Sequence, residues 1–183
     1  MKKYTSYIFL VFIYAIFSCN NNQKINFKYF TLTFPREWKK QESKGVDSNT
    51  GVIVTPQNDT IFYDLGYYSN SLTEKTDFKI YSNKYIDNLD SNLDLSKIIF
   101  ADPSRLDKDY YIKQNVSYES KAGHLLKYIF PRKTGVGITG LYIDSLTHDE
   151  TIGNLKFSIY GNNLKLSNQQ ILQDVIHNII FEK

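Results

Sequence analysis

The sequence contains the stretch Phe27-Lys28-Tyr29-Phe30-Thr31-Leu32-Thr33-Phe34, around which the rest of the predicted sheet is arranged. Large apolar side chains recur at every second position, so Phe30, Leu32 and Phe34 share one side of an extended backbone. The stretch therefore predicts a β-strand with one buried face. Pro35 is expected to end the strand, because proline has no N–H to donate to a neighbouring strand. Trp38 is expected to fold back onto it.

Further strand patterns lie on both sides of a polar central region. Residues 51–56 and 60–68 are apolar and flank Gln57-Asn58-Asp59, whose composition predicts a tight hairpin turn. After the central region, strand patterns cover 111–119, 125–130, 138–143 and 155–161, with loops expected at 131–137 and 147–153. Successive strands joined by short turns predict an antiparallel sheet.

Two helices are expected beside this sheet. Asp77 is placed to cap the first, whose apolar face has spacings of three and four residues. That face comprises Phe78, Tyr81, Tyr85 and Leu89. In the second, Ser167 and Gln170 have the spacing of a capping box. Its predicted buried stripe comprises Ile171, Leu172, Val175, Ile176 and Ile179. The predicted fold class is therefore α+β, an antiparallel sheet with helices packed on its faces.

The first residues have the order of a secretory signal. Lys2 and Lys3 precede an apolar run over residues 7–17, and the small residue Ser18 is followed by Cys19, the single cysteine. Ser18-Cys19 resembles a bacterial lipobox, in which the cysteine becomes the lipidated first residue of the mature protein. The alternative is an anchor that is never cut, but a spanning helix needs about 20 apolar residues and this run is shorter.

These features predict a signal peptide over 1–18, a lipidated tether over 19–26 and a single domain over 27–183. The residues after Cys19 contain no acid, and acids at those positions favour display on the cell surface in some bacterial lipoproteins. We therefore expect a protein that is lipid-anchored to a bacterial membrane and faces the periplasm. The net charge of +3 falls to about +1 when Lys2 and Lys3 leave, which argues against a nucleic-acid partner.

Two stretches resemble the PsbP-like superfamily, which includes an extrinsic photosystem subunit, a nuclear Ran-binding protein and envelope lipoproteins of the DcrB type. The first is Phe34-Pro35-Arg36-Glu37-Trp38, a strand end followed by proline, two residues and tryptophan. The second is a strand ending at Gly161, a polar turn and a helix that runs into Ile179-Ile180-Phe181. The resemblance implies an antiparallel sheet with helices on its faces and a role in binding or assembly. It implies no ligand residues.

Catalytic and metal-binding motifs are incomplete in this sequence. No two of His124, His148 and His177 are four residues apart, so a zinc site of the HExxH type is absent. His148 with Asp144 and Glu150 is the one cluster that would favour an envelope enzyme, if it lay beside a deep cleft.

Three other stretches have both a functional and a structural interpretation. Residues 90–94 begin like a calcium loop, but Leu95 and Ala101 stand where that loop needs glycine and glutamate. Residues 135–140 form either an anion cradle or, as we favour, a flexible hairpin, since the P-loop lysine is missing. Several tyrosines form either a stacking surface or ordinary strand faces. These are Tyr63, Tyr67, Tyr68, Tyr110 and Tyr111.

We therefore expect a lipoprotein anchored through Cys19 that acts by binding and not by catalysis, with no cofactor. Its expected partners are the membrane and another envelope protein, as a binding or assembly module. Two other classes stay open. One is an immunity protein that neutralises a secreted toxin, and the other is an enzyme of the envelope.

Overall fold

The computed structural model describes residues 22–44, 48–72, 79–82, 98–102 and 114–182. These residues form mainly β-strands. The strands are β1 (Asn22–Asn26), β2 (Phe30–Pro35), β3 (Lys39–Lys44), β4 (Ser48–Val54), β5 (Thr60–Gly66), β6 (Lys79–Tyr81), β7 (Ile98–Phe100), β8 (Gln114–Lys121), β9 (His124–Pro131), β10 (Ile138–Asp149), β11 (Gly153–Asn162) and β12 (Ile180–Phe181). The helix α1 (Leu166–His177) lies between the last two strands.

The main sheet has seven strands in the order β3-β4-β5-β11-β10-β9-β8, and all neighbouring strands are antiparallel. A small antiparallel sheet has the order β1-β2-β12, and β6 and β7 form a separate parallel pair. The pairing of β5 with β11, in which Tyr63 lies opposite Ile159, joins the early and late hairpins into one sheet.

The hydrophobic core lies between one face of the main sheet and a layer made of the small sheet and α1. Phe30, Leu32 and Phe34 of β2 are fully buried in it, which confirms the predicted buried face. The Phe30 ring meets the ring of Phe157 on β11 edge-to-face, with 4.6 Å between centroids. We call this side of the main sheet the core face and the opposite side the outer face.

Trp38 folds back onto β2, as predicted. Its side chain is 1 % exposed, and its ring centroid lies 5.9 Å from that of Phe34. The backbone N–H of Trp38 donates to the Pro35 carbonyl at 3.1 Å, which closes the turn after the strand. The Gln23 side-chain amide donates to the carbonyls of Pro35 and Trp38, so β1 holds the turn from outside.

The predicted α+β fold class, with helices packed on the sheet faces, is wrong. The described residues form two antiparallel sheets and a parallel strand pair, with one short helix among them. In the first predicted helix, Lys79–Tyr81 is strand β6, while Tyr85 and Leu89 lie outside the described residues. The strands β1 and β3 were not predicted, because these polar strands lie at sheet edges, where polar and charged residues are favoured.

The folded domain begins earlier than the predicted boundary at residue 27. Strand β1 starts at Asn22, inside the predicted tether, and places Ile25 opposite Leu32 of β2. Cys19 and the predicted signal peptide lie outside the described residues. Within the described ranges, no helix combines the length and hydropathy that crossing a bilayer requires.

One hairpin turn lies where the sequence predicts it, and another is shorter than the sequence predicts. Ala122 and Gly123 both have positive φ, 51° and 84°, which gives the tight turn predicted between β8 and β9. The loop predicted over 147–153 is shorter than expected, because β10 continues to Asp149 and β11 starts at Gly153. A register shift between Ile143 and Thr147 lets the long β10 continue.

The capping box predicted at Ser167 and Gln170 is wrong. Helix α1 begins at Leu166, and Lys165 at the N-cap makes no side-chain capping bond. The cap comes from Asp59 in the β4–β5 turn, whose carboxylate accepts the Lys165 N–H at 2.9 Å and the Asn168 side-chain amide at 2.7 Å. A carboxylate at this position suits the positive end of the helix.

Replacing Asp59 with alanine is expected to lower the free energy of unfolding by about 1–3 kcal/mol, since it strips a buried amide of its acceptor. Asn168 is 1 % exposed and would keep only its bond to Thr55, at 3.0 Å. Urea unfolding followed by circular dichroism measures this loss. Asp174→Ala on the exposed side of the same helix is the control, expected to change stability by less than about 0.5 kcal/mol. Equal effects of the two substitutions would contradict the role of Asp59.

Candidate functional site

A groove of about 830 Å³ lies where the end of α1 and strand β12 meet β1, β2 and the β8–β9 turn. The side chains that line it come from all of these elements and are mostly apolar. They are Asn22, Thr33, Pro35, Lys121, Ala122, Ile171, Asp174, Val175, Asn178, Ile179, Ile180 and Phe181. The volume falls within the range of small-molecule and cofactor pockets, about 300–1,000 Å³.

The local sequence explains why apolar side chains are presented to this groove. Leu172 and Ile176 are fully buried, so α1 lies on the core with this stripe, and Ile171 at the stripe's edge is half-buried. Beyond the helix, Ile179 enters the core at 1 % exposure. Since successive residues of an extended chain point to opposite sides, Ile180 is turned outward and is 55 % exposed.

Two charged side chains flank the apolar lining. The Lys121 ammonium donates to the carbonyl of His177 at 3.0 Å, where the C-terminal end of a helix favours a cation. Asp174, one turn earlier on α1, is exposed. The groove therefore offers an apolar surface with one cation and one anion at its rim.

Stacked rings lie between the main sheet and the two elements that form the groove, α1 and β12. The His177 ring lies 4.5 Å from the Tyr128 ring and 5.6 Å from the Phe130 ring, and the His124 ring lies 4.6 Å from that of Phe181. His124 is thus half-buried and not exposed as expected. These contacts hold the end of α1 and β12 against the main sheet.

Tyr128 anchors this stack as a neutral phenol. Its hydroxyl donates to the Glu119 carboxylate at 3.0 Å. Burial, and then the hydrogen bond to Glu119, raise the pKa of Tyr128 well above its usual value. The stack therefore carries no charge on its phenol at physiological pH.

The His148 cluster lies away from the groove lining, and two of its members, His148 and Asp144, have other partners. His148 is on β10 and not in a loop, and its Nδ1 lies 2.8 Å from Asn154 Oδ1. Asp144 accepts the Tyr142 hydroxyl at 2.6 Å. Among the described residues, no group of three or more His, Cys, Asp or Glu is placed to hold a metal ion.

The glycine-rich loop is a hairpin, as the favoured interpretation predicted, and its amides are already used. The Gly135 N–H donates to Gln169 Oε1 at 3.1 Å, and the Gly137 N–H donates to Asn163 Oδ1 at 2.7 Å. These two donors point to side chains of the protein, so the loop is not an anion cradle. The calcium-like stretch over 90–94 lies outside the described residues.

The tyrosines do not share one surface. Tyr63 is 2 % exposed and faces the core, whereas Tyr68 is 85 % exposed and Tyr67 is half-buried. Tyr110 and Tyr111 lie outside the described residues. The stacking surface proposed from the sequence is therefore not formed by Tyr63.

Sequence reasoning missed the groove, although it identified Ile179-Ile180-Phe181 as the stretch into which the last helix runs. The signal was available in principle, because an isoleucine beside a buried one in a strand must point outward. The sequence does not show which residues lie beside Ile180, because Asn22 and Lys121 come to the same groove only through the pairing of the strands.

No protein-family model and no curated protein matches this chain. The resemblance to PsbP-like proteins stays a prediction.

Proposed function

We propose that this chain is a lipid-anchored, periplasm-facing lipoprotein that acts as a non-catalytic binding or assembly module of the bacterial cell envelope. The groove would receive a segment of another envelope protein. One observation carries the proposal: Cys19, at the end of the lipobox-like stretch, stands three residues before Asn22, which lines the groove.

This spacing fixes how far the groove can lie from the lipid. Three residues of extended chain span at most about 11 Å. Asn22 therefore lies within roughly that distance of the lipidated cysteine, and the groove is held close to the membrane surface. Acyl chains contribute about 0.8 kcal/mol per buried methylene, so two or more chains keep the domain there.

The lining of the groove indicates the chemistry of the partner. The exposed Ile180 and the half-buried Ile171 and Phe181 suit apolar side chains, because burial of apolar surface is the dominant favourable term in most protein–protein association. Lys121 and Asp174 at the rim favour a segment with charges of both signs beside its apolar residues, and so set its direction. The occupant we propose is a membrane-proximal segment of this composition.

Replacing Ile180 with aspartate is expected to reduce recovery of the partner at least about tenfold, equivalent to about 1.4 kcal/mol of binding free energy. The substitution puts a charge on the apolar lining without touching the core, because Ile180 is 55 % exposed. The matched control is Ile152→Asp, at a residue that is 53 % exposed in the β10–β11 turn. Recovery is measured by mass spectrometry after mild crosslinking and capture of the full chain from its own envelope.

Two results would contradict the proposal. One is the same partner recovery with Ile180→Asp as with Ile152→Asp, and the other is the absence of any stoichiometric envelope protein among the captured proteins. Capture of a secreted toxin would replace the assembly role with toxin neutralisation. Circular dichroism of both variants checks that each is folded.

A further inference from the structure

A second site lies on the outer face of the main sheet, away from the groove. Asp64 on β5 and Ser158 on β11 are register partners on adjacent strands. Their neighbours Tyr63, Leu65 and Phe157 point into the core. Because side chains alternate along a strand, Asp64 and Ser158 both point to the outer face.

These two side chains carry buried oxygen atoms without hydrogen-bond partners. The Asp64 Oδ1 and Ser158 Oγ atoms are both buried, and neither has a hydrogen-bond partner in the protein. Ser158 is 1 % exposed as a residue, so its hydroxyl is held in place. Buried polar atoms are nearly always hydrogen-bonded, so two orphans on neighbouring strands point to a partner that the chain itself does not provide.

Asp64 and Ser158 are among the residues that line a cup of about 350 Å³. On one side stand Phe62 and Tyr160, whose rings stack with 5.5 Å between centroids. On the other side lies Thr50, whose hydroxyl donates to the Ser43 carbonyl at 3.2 Å and can still accept a hydrogen bond. Apolar walls around a few polar groups are the usual composition of a small-ligand site.

The Asp64 carboxylate and the Ser158 hydroxyl need different hydrogen-bond partners. A carboxylate oxygen only accepts hydrogen bonds, whereas a serine hydroxyl both donates and accepts. An ammonium group would satisfy Asp64 but only donates, so the Ser158 proton would stay without an acceptor. A phosphate would be repelled by the Asp64 carboxylate, because both groups are negatively charged. A ligand hydroxyl donates to Asp64 and accepts from Ser158, so it satisfies both.

We propose that this cup binds a neutral saccharide unit, with ring hydroxyls on Asp64 and Ser158 and ring C–H groups against Phe62 and Tyr160. The volume suits a single small ligand and not an extended chain. This site is independent of the groove and does not need the chain to bind an envelope protein.

The test is a titration of the isotope-labelled full chain in detergent micelles with glucose and with N-acetylglucosamine, followed by nuclear magnetic resonance. Saturable shifts of the Asp64 and Ser158 backbone amides are expected, with a dissociation constant of about 1 mM for a small neutral ligand. Ser158→Ala should weaken this binding about tenfold or more, as the loss of one buried hydrogen bond does. Ser145→Ala, at an exposed serine of β10, is the matched control and should leave binding unchanged.

Three results would overturn the proposal. No saturable shift with either sugar would mean that ordered water alone satisfies the orphan atoms. Equal binding by Ser158→Ala would place the sugar elsewhere. Shifts of the same amides with butylammonium or inorganic phosphate, and not with the sugars, would assign the cup to a charged ligand. Asp64→Asn, which keeps the side-chain volume, is a second variant should Ser158→Ala fail to fold.

Discussion

Replacing Trp38 with alanine is expected to lower the free energy of unfolding by about 3–5 kcal/mol. The indole is 1 % exposed and packs against Phe34, in the layer that covers the core face of the main sheet. Truncation removes a large apolar side chain and leaves a cavity that the surrounding strands fill only in part. Because domains of this size are stable by only about 5–15 kcal/mol, the loss is a large share of the total.

The measurement is urea unfolding followed by far-ultraviolet circular dichroism, since Trp38 is the only tryptophan and its fluorescence is lost in the variant. Tyr68→Ala is the control, because that aromatic side chain is 85 % exposed and its truncation should cost less than about 0.5 kcal/mol. If Trp38→Ala were as stable as Tyr68→Ala, Trp38 would not belong to the core and the turn after β2 would be misplaced.

Replacing Cys19 with serine is expected to move the protein from the membrane fraction to the soluble fraction. The lipobox resemblance implies that Cys19 carries the acyl chains, and each buried methylene contributes about 0.8 kcal/mol of membrane affinity. Serine has no thiol to acylate, so the anchor is lost completely and not weakened. Fractionation of the envelope, together with metabolic labelling by a palmitate analogue, measures both location and lipid.

The same variant separates the two interpretations of the N-terminal stretch. If residues 1–18 were an anchor that is never cut, Cys19→Ser would stay in the membrane fraction and keep its full mass. The circular dichroism spectrum should match that of the unchanged protein in either case, because β1, the first described strand, begins at Asn22, after Cys19. An unchanged protein that takes up no palmitate label and keeps residues 1–18 would therefore contradict the lipid anchor.

The interior strands of this fold were predictable from the sequence, whereas its edges and its class were not. In β2, burial of Phe30, Leu32 and Phe34 imposes alternation, and the pattern is visible without the structure. The edge strands β1 and β3 are polar and leave no such pattern. The fold class was wrong because spacing at 78–89 favoured a helix, although Tyr81 pairs in β6 with Phe100 of β7.

The candidate sites were less predictable, because each is built by contacts between distant residues. Asp59 caps a helix that begins more than 100 residues later, and the capping box that the sequence offered is not used. Likewise, Asp64 and Ser158 meet only because β5 pairs with β11. Local patterns identify which residues are buried, but they do not specify which strands become neighbours.

Photo-crosslinking inside living cells, from a benzophenone side chain placed at residue 180, tests directly whether the groove binds an envelope protein at the membrane. Our account predicts one dominant crosslinked envelope protein from position 180, and none from position 152, which is equally exposed but lies in the β10–β11 turn. It further predicts that Cys19→Ser weakens the crosslink, since the groove is then no longer held at the membrane. The same crosslinked protein from both positions, or no crosslink from position 180, would contradict the claim that the groove is a membrane-proximal binding site.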